Sequence, residues 1–112
     1  MVKYIPKQGD IVYIDFSPTK GHEQSGYRPG IVVSNDIFNS YTKMVMVCPI
    51  TSNTKPFPTH YQLYGTKKVK GCVLTEHIRS IDYEKRNVKF VEKADISNLL
   101  GAMMLLSACI EE

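Results

Sequence analysis

The chain has 112 residues, room for one compact domain (1–112) and no second. With 43% hydrophobic and 22% charged residues it reads as a folding domain and not as a disordered segment. A formal net charge of +3 and a pI near 8.7 permit a polyanionic partner without demanding one.

No apolar run reaches the roughly 18 residues of a membrane span. The opening Met1–Pro6 lacks a long apolar stretch and does not read as a signal peptide, so a cytoplasmic protein without a membrane partner is expected. Three cysteines, Cys48, Cys72 and Cys109, form no even-numbered disulfide framework and no CxxC pair. They are expected to be small apolar core residues.

In chain order, Asp10–Phe16 alternates as a strand, with Val12, Ile14 and Phe16 on one face and Ile11 and Tyr13 on the other. Segment 17–29 follows with two prolines and two glycines, so neither helix nor strand is favoured there. Gly30–Ser34 is a short continuous apolar run, as in a strand covered on both sides. Lys43–Ile50 is a Val- and Met-rich strand, whose ladder Pro49 should end or bulge. Thr51–Pro58 is a loop, Tyr61–Tyr64 a weak strand, Gly71–Ile81 a strand rich in β-branched residues, and Asn87–Glu92 an alternating one. The period then changes. Asp95 suits an N-cap, and Ile96, Leu99, Leu100, Met103, Leu106 and Ile110 recur at helical spacing. Met104, Leu105, Ala108 and Cys109 make that helix apolar almost all round, so it must be covered on more than one side, by a partner subunit or by its own barrel. Six strands and then one helix predict a mainly β fold: a small curled sheet or barrel with a terminal helix.

Two segments can carry chemistry. Gly21 and Gly26 let the backbone of the first turn and approach a ligand closely. Arg28 stands before Pro29, which holds it extended at the mouth of a strand. Its planar fork suits a phosphate, but it can equally cap carbonyls or pair with Glu23. His22 is an acid–base candidate in the same loop, or a solvent-facing side chain. The second segment, Thr51-Ser52-Asn53-Thr54, sets four short hydrogen-bonding side chains at a strand end; such groups hold phosphate oxygens or make ordinary turns. Tyr27, Phe57, Tyr61 and Tyr64 can stack bases or fill surface and core. Lys20, Lys55 and the Lys67-Lys68-Lys70 group can track phosphates, and that last group can equally be a solvated turn. His60 has no evident partner. Histidines at 22, 60 and 77 show no metal-ligand spacing, so neither metal nor other cofactor is expected.

Gly9-Asp10-Ile11-Val12-Tyr13-Ile14-Asp15-Phe16-Ser17-Pro18 followed by Gly21-His22-Glu23-Gln24-Ser25-Gly26-Tyr27-Arg28-Pro29 resembles the MazF/PemK toxins. Val47-Cys48-Pro49-Ile50-Thr51-Ser52 resembles the family's next block, and Gly71–Asp82 a third; the three stand in the family's order over nearly the whole chain. The resemblance implies an SH3-like β-barrel with a C-terminal helix, shared with the gyrase-poisoning CcdB toxins, and a two-fold homodimer whose groove binds single-stranded RNA. It implies metal-independent cleavage of mRNA at short motifs, with the catalytic arginine at Arg28 and the threonine at Thr51, and Glu23 and Gln24 in the loop beside them. Lys20, Gly21, His22, Tyr27, Ser52, Asn53, Lys55, Phe57 and His77, the last at a position where the family often has glutamine, are the further RNA-binding candidates. It also implies a cognate MazE-like antitoxin whose acidic, flexible tail occupies the groove. Two other readings stay open: a non-enzymatic CcdB-like gyrase inhibitor, and an RNA-binding barrel without catalysis.

Overall fold

The computed structural model describes residues 3–17 and 26–111. Its elements are β1 (Asp10–Asp15), β2 (Tyr27–Val32), α1 (Asp36–Thr42), β3 (Met44–Thr51), β4 (His60–Gln62), β5 (Cys72–Leu74), a 3-10 turn (Thr75–His77), β6 (Arg79–Asp82), β7 (Lys89–Lys93) and α2 (Ile96–Ile110). All strand pairs are antiparallel, in the order β4-β5-β3-β2-β1-β7, with β6 also on β3. The expected small curled sheet or barrel with a terminal helix is present, its main strand path running from β4 to β7 among the described residues.

Alternation along β1 sorts the core as the sequence implies. Val12, Ile14 and Phe16 join Val32, Val45, Val47, Ile81 and Tyr83 on one side. Ile11 goes to the other, with Ile31, Cys48, Ile50, Val73 and the α2 residues Leu99 and Ala102. β2 is accordingly covered on both faces, since its successive residues Ile31 and Val32 enter different clusters. The β2–β3 ladder ends at Gly30↔Pro49, as proline's missing N–H requires, and Ile50 and Thr51 continue the strand by pairing with β5.

Two departures from the expected elements matter. The strand expected over Gly71–Ile81 is broken: β5 pairs Ile50↔Val73 and β6 pairs Val47↔Arg79, and the excess residues coil into the 3-10 turn. Thr75 anchors that turn by donating its hydroxyl to the Thr59 carbonyl. The second is α1, a seven-residue helix absent from the sequence reading. Asn35 caps it by accepting from the Phe38 N–H at 2.8 Å, and Lys43 ends it in the left-handed region (φ 60°). Only Asn39 is buried in it, held by Pro6 and Ser34, so no apolar stripe announces it.

α2 begins after Asp95, whose carboxylate accepts from the Ser97 hydroxyl at 3.0 Å and bonds no helix amide. One face is buried, through Asn98, Leu99 and Ala102. Asn98 clasps Tyr64, accepting from its N–H at 3.0 Å and donating to its carbonyl at 2.8 Å. Gly101 lets the Tyr61 ring lie against the helix: a Cβ there would stand 2.1 Å from a ring carbon. Tyr61 is therefore helix packing and no open stacking platform. The opposite face, with Ile96, Leu100, Met104 and Ile110, is exposed. The helix fills no barrel; its own sheet covers one side only. Cys48 and Cys72 are buried as expected, whereas Cys109 is exposed on α2. Burial, together with the Glu76 charge, pushes the Cys48 thiol up to about 12, which keeps it inert.

Candidate active site

Arg28 on β2 and Thr51 at the end of β3 leave the sheet at the same end. Each stands two residues beyond Gly30↔Pro49, the last pair of the β2–β3 ladder, and Thr51 pairs instead with Cys72 of β5. The two side chains open onto different depressions. Arg28, half-buried, lines a cavity of about 350 Å³ with Tyr13, Ser52, Lys68 and Lys70. Thr51 lines a smaller one of about 160 Å³ with Asn53, Lys55, His60, Glu76 and His77. Strand alternation explains the division, since Ser52 faces the first and Thr51 and Asn53 the second.

Around Thr51 the backbone is tightly defined. Thr51 Oγ1 accepts from the Asn53 N–H at 3.2 Å, and Asn53 Oδ1 accepts from the Lys55 N–H at 3.2 Å. The Thr51 hydroxyl keeps its proton available for donation. Gly71, at φ 131°, lies against this corner; a Cβ there would sit 2.0 Å from the Thr51 carbonyl oxygen.

The 3-10 turn brings an acidic group to the wall of the same pocket. Glu76 accepts from the Thr59 hydroxyl at 2.8 Å, bonds His60 Nε2 at 2.8 Å and lies 3.7 Å from His77 Nε2. Burial works to raise the Glu76 carboxyl, but hydrogen bonds from Thr59, its own backbone and His60 outweigh it and hold it below the usual range. His60, without a partner in the sequence reading, therefore has one. Glu76 carries no signal in the sequence, because Thr59 and His60, which bond it, lie at and just before the start of β4, distant in sequence. Its pairing with His77 one residue on gave no signal of function.

The remaining candidates divide. Ser52, Asn53, Lys55 and Phe57 are exposed beside Thr51, and Phe57 leans on His60 with ring centroids 5.0 Å apart. His77 is half-buried in the Thr51 pocket. Tyr27 is exposed and stacks on Tyr13, centroids 5.7 Å apart at 23°. Lys20, Gly21, His22, Glu23 and Gln24 lie outside the described residues. Among the described residues no cluster of three His, Cys, Asp or Glu side chains could hold a metal, and no helix is long and apolar enough to cross a membrane.

An antiparallel sheet bordered by an arginine, lysines, hydroxyls and exposed aromatics defines a small β protein whose surface chemistry can hold an extended polyanion. Residues 7–104 match the family of PemK-like, MazF-like toxins of type II toxin–antitoxin systems. The chain belongs to that family. It is 37% identical over 84 residues to the endoribonuclease toxin MazF of Escherichia coli strain K12, covering 75% of each chain. It is 35% identical over 97 residues to the endoribonuclease EndoA of Bacillus subtilis strain 168, covering 81% of this chain and 83% of that one. MazF from Deinococcus radiodurans superposes with a TM-score of 0.91 at 33% identity, over 96% of this chain and 98% of the other. A MazE–MazF structure from the same organism gives 0.84 at 33% identity, over 96% and 97%.

Proposed function

We propose that this chain is the toxin of a type II toxin–antitoxin pair and acts as a metal-independent, sequence-specific endoribonuclease on single-stranded RNA, arresting translation in the cytoplasm. Family membership with two endoribonuclease relatives supports the activity. The observation that supports the site is that Arg28 and Thr51 each stand two residues beyond Gly30↔Pro49, where the β2–β3 ladder ends.

RNA brings its own nucleophile. The 2′-OH attacks the adjacent phosphorus, the O2′–P bond forms and the P–O5′ bond breaks, leaving a 2′,3′-cyclic phosphate and a 5′-OH. Charge gathers on the non-bridging oxygens as this happens. Arg28 offers a rigid fork of N–H donors to that charge in place of a metal. Thr51, oriented by the Asn53 N–H, donates its hydroxyl to one of those oxygens. The proton leaving O2′ and the proton arriving at O5′ pass through solvent and the imidazoles beside Glu76.

Its partners are RNA, a cognate antitoxin with an acidic segment, and a second copy. The second copy covers the apolar face that α2 leaves open.

The test is incubation of the pure protein with a long single-stranded RNA in EDTA, mapping the 5′ ends and assaying them for 5′-OH. Discrete EDTA-resistant cuts at one short motif are expected, with Arg28→Ala slower by ~10²–10³-fold and still folded. An uncleaved RNA with folded wild-type protein moves the reading to the gyrase-inhibiting alternative; full activity in Arg28→Ala removes the site assignment.

A further inference from the structure

The cavity at Arg28 is lined by groups that the site just described does not use. Besides Arg28 it is lined by Lys68 and Lys70 from the β4–β5 turn and by Tyr13 from β1, and no carboxylate lines it among the described residues. Lysines on a surface turn are ordinarily mobile and solvated. This turn is different. Glu92 of β7 reaches across and accepts the consecutive backbone N–H groups of Lys67, Lys68 and Val69 at 2.9, 2.8 and 2.8 Å. Both carboxylate oxygens are consumed by these bonds, so the one nearby anion is turned toward the backbone. Val69 is buried in the main core, which seats the turn from beneath. Lys70 donates its ammonium to the Thr66 carbonyl, and Lys68 makes no ion pair among the described residues. The result is a pinned turn whose Lys68 and Lys70 line the same hollow as Arg28.

The aromatic wall narrows the ligand further. Tyr13 is exposed, lines the cavity and stacks on exposed Tyr27, so a flat hydrophobic surface continues out of the cationic hollow. A bare anion makes no use of such a surface. A phosphate joined to a ring does: the phosphate meets the lysines while the base lies on the tyrosine. An acidic peptide would satisfy the cations and leave the rings unused.

We infer that the Glu92-pinned turn, with Lys68, Lys70 and Tyr13, forms a second nucleotide subsite for single-stranded RNA, holding the phosphodiester and base of a nucleotide next to the one at Arg28. This rests on the ribonuclease reading for the identity of the strand, though not for the chemistry of the cavity. The subsite lengthens the bound strand beyond the scissile bond, so it sets affinity and strand register and leaves bond breaking to Arg28 and Thr51.

The test is binding of short single-stranded oligonucleotides of mixed sequence built on 2′-deoxyribose, which removes the nucleophile. Affinity is measured against salt concentration for the wild type, Lys68→Ala, Lys68→Arg and Tyr13→Leu. Lys68→Ala is expected to reduce the slope of log affinity against log salt by roughly 0.7, the value of one single-strand phosphate contact, and Lys68→Arg to restore it. Tyr13→Leu should weaken binding about five- to a hundredfold, the range of one lost base stack, with the slope kept. With cleavable RNA, Lys68→Ala should raise KM more than it lowers kcat. Wild-type slope and affinity in both Lys68→Ala and Tyr13→Leu overturn the subsite, even where the protein cuts RNA. The expected binding losses in a protein that cuts nothing leave the subsite standing and remove the ribonuclease reading. A Lys68→Ala effect confined to inhibition by the acidic antitoxin assigns the cavity to the peptide and overturns the RNA subsite.

Discussion

Gly71 is where one missing side chain makes room for the Thr51 backbone. Its φ of 131° lies in the range that favours glycine, and a Cβ would fall 2.0 Å from the Thr51 carbonyl oxygen and 2.8 Å from its carbon. Both obstacles are backbone and cannot rotate aside. Gly71→Ala should therefore lower stability by at least ~1–3 kcal/mol, as overpacking does, and slow cleavage through Thr51. Chemical denaturation and a cleavage assay on the same preparation check it; wild-type values in both would place Thr51 outside the constraint. The residue types of Arg28 and Thr51 were legible in the sequence as phosphate-binding chemistry, but the choice between phosphate binding and turn-making was not. That choice depends on which groups gather around each residue in space, and the path of the strands sets that, not the local sequence.

At the scale of elements, Glu92 ties β7 to the β4–β5 turn and carries a pH signature. Its burial acts to raise the carboxyl, but the amides of Lys67, Val69 and Lys68 and the nearby Lys70 charge outweigh it, so the folded value lies below the ordinary 4.5. A carboxyl depressed on folding contributes stability that is complete above its unfolded value and is lost as pH falls through the folded one. The urea midpoint should thus decline below about pH 4.5, and Glu92→Gln should be less stable at neutral pH and shed less of its stability on acidification. An equal acid slope in both proteins would contradict this. The docking of α2 offers a second test. Gly101→Ala would ordinarily favour a helix by ~1 kcal/mol, yet the new Cβ would meet the Tyr61 ring at 2.1 Å. The clash should win, with net destabilisation of about 1 kcal/mol or more; a raised melting temperature would show that Tyr61 moves away freely.

For the molecule as a whole, the exposed stripe Ile96, Leu100, Met104 and Ile110 is too apolar to be left in water, and a groove of about 320 Å³ between Met46, Ile78, Met103 and Leu106 adjoins it. Sedimentation should give a dimer, and Ile110→Glu, which places a charge at the groove's end, should shift it toward monomer without unfolding it. An unchanged dimer would move the interface elsewhere. Charge is the other global property. A dimer of this chain would carry twice its net charge of +3, so inhibition by an acidic antitoxin segment should weaken as salt rises from low to several hundred millimolar. Indifference to salt would indicate a mainly apolar contact.

The strands with clean alternation and the apolar helix were set by sequence alone, because the periods of 2 and 3.6 are local properties of the backbone. Asp10–Phe16 needed no context to sort its faces, and three ordered motif blocks were enough to place the family. α1 was not legible, since seven residues with one buried side chain carry no period. Nor was the 3-10 break in Gly71–Ile81, which answers the register of β3 on both sides of it. That break is what carries Glu76 to His60 and Thr51, and a carboxylate of β7 is what holds Lys68 beside Arg28. Tertiary structure alone decided these, because each joins residues far apart in the chain whose meeting depends on the path of the whole sheet.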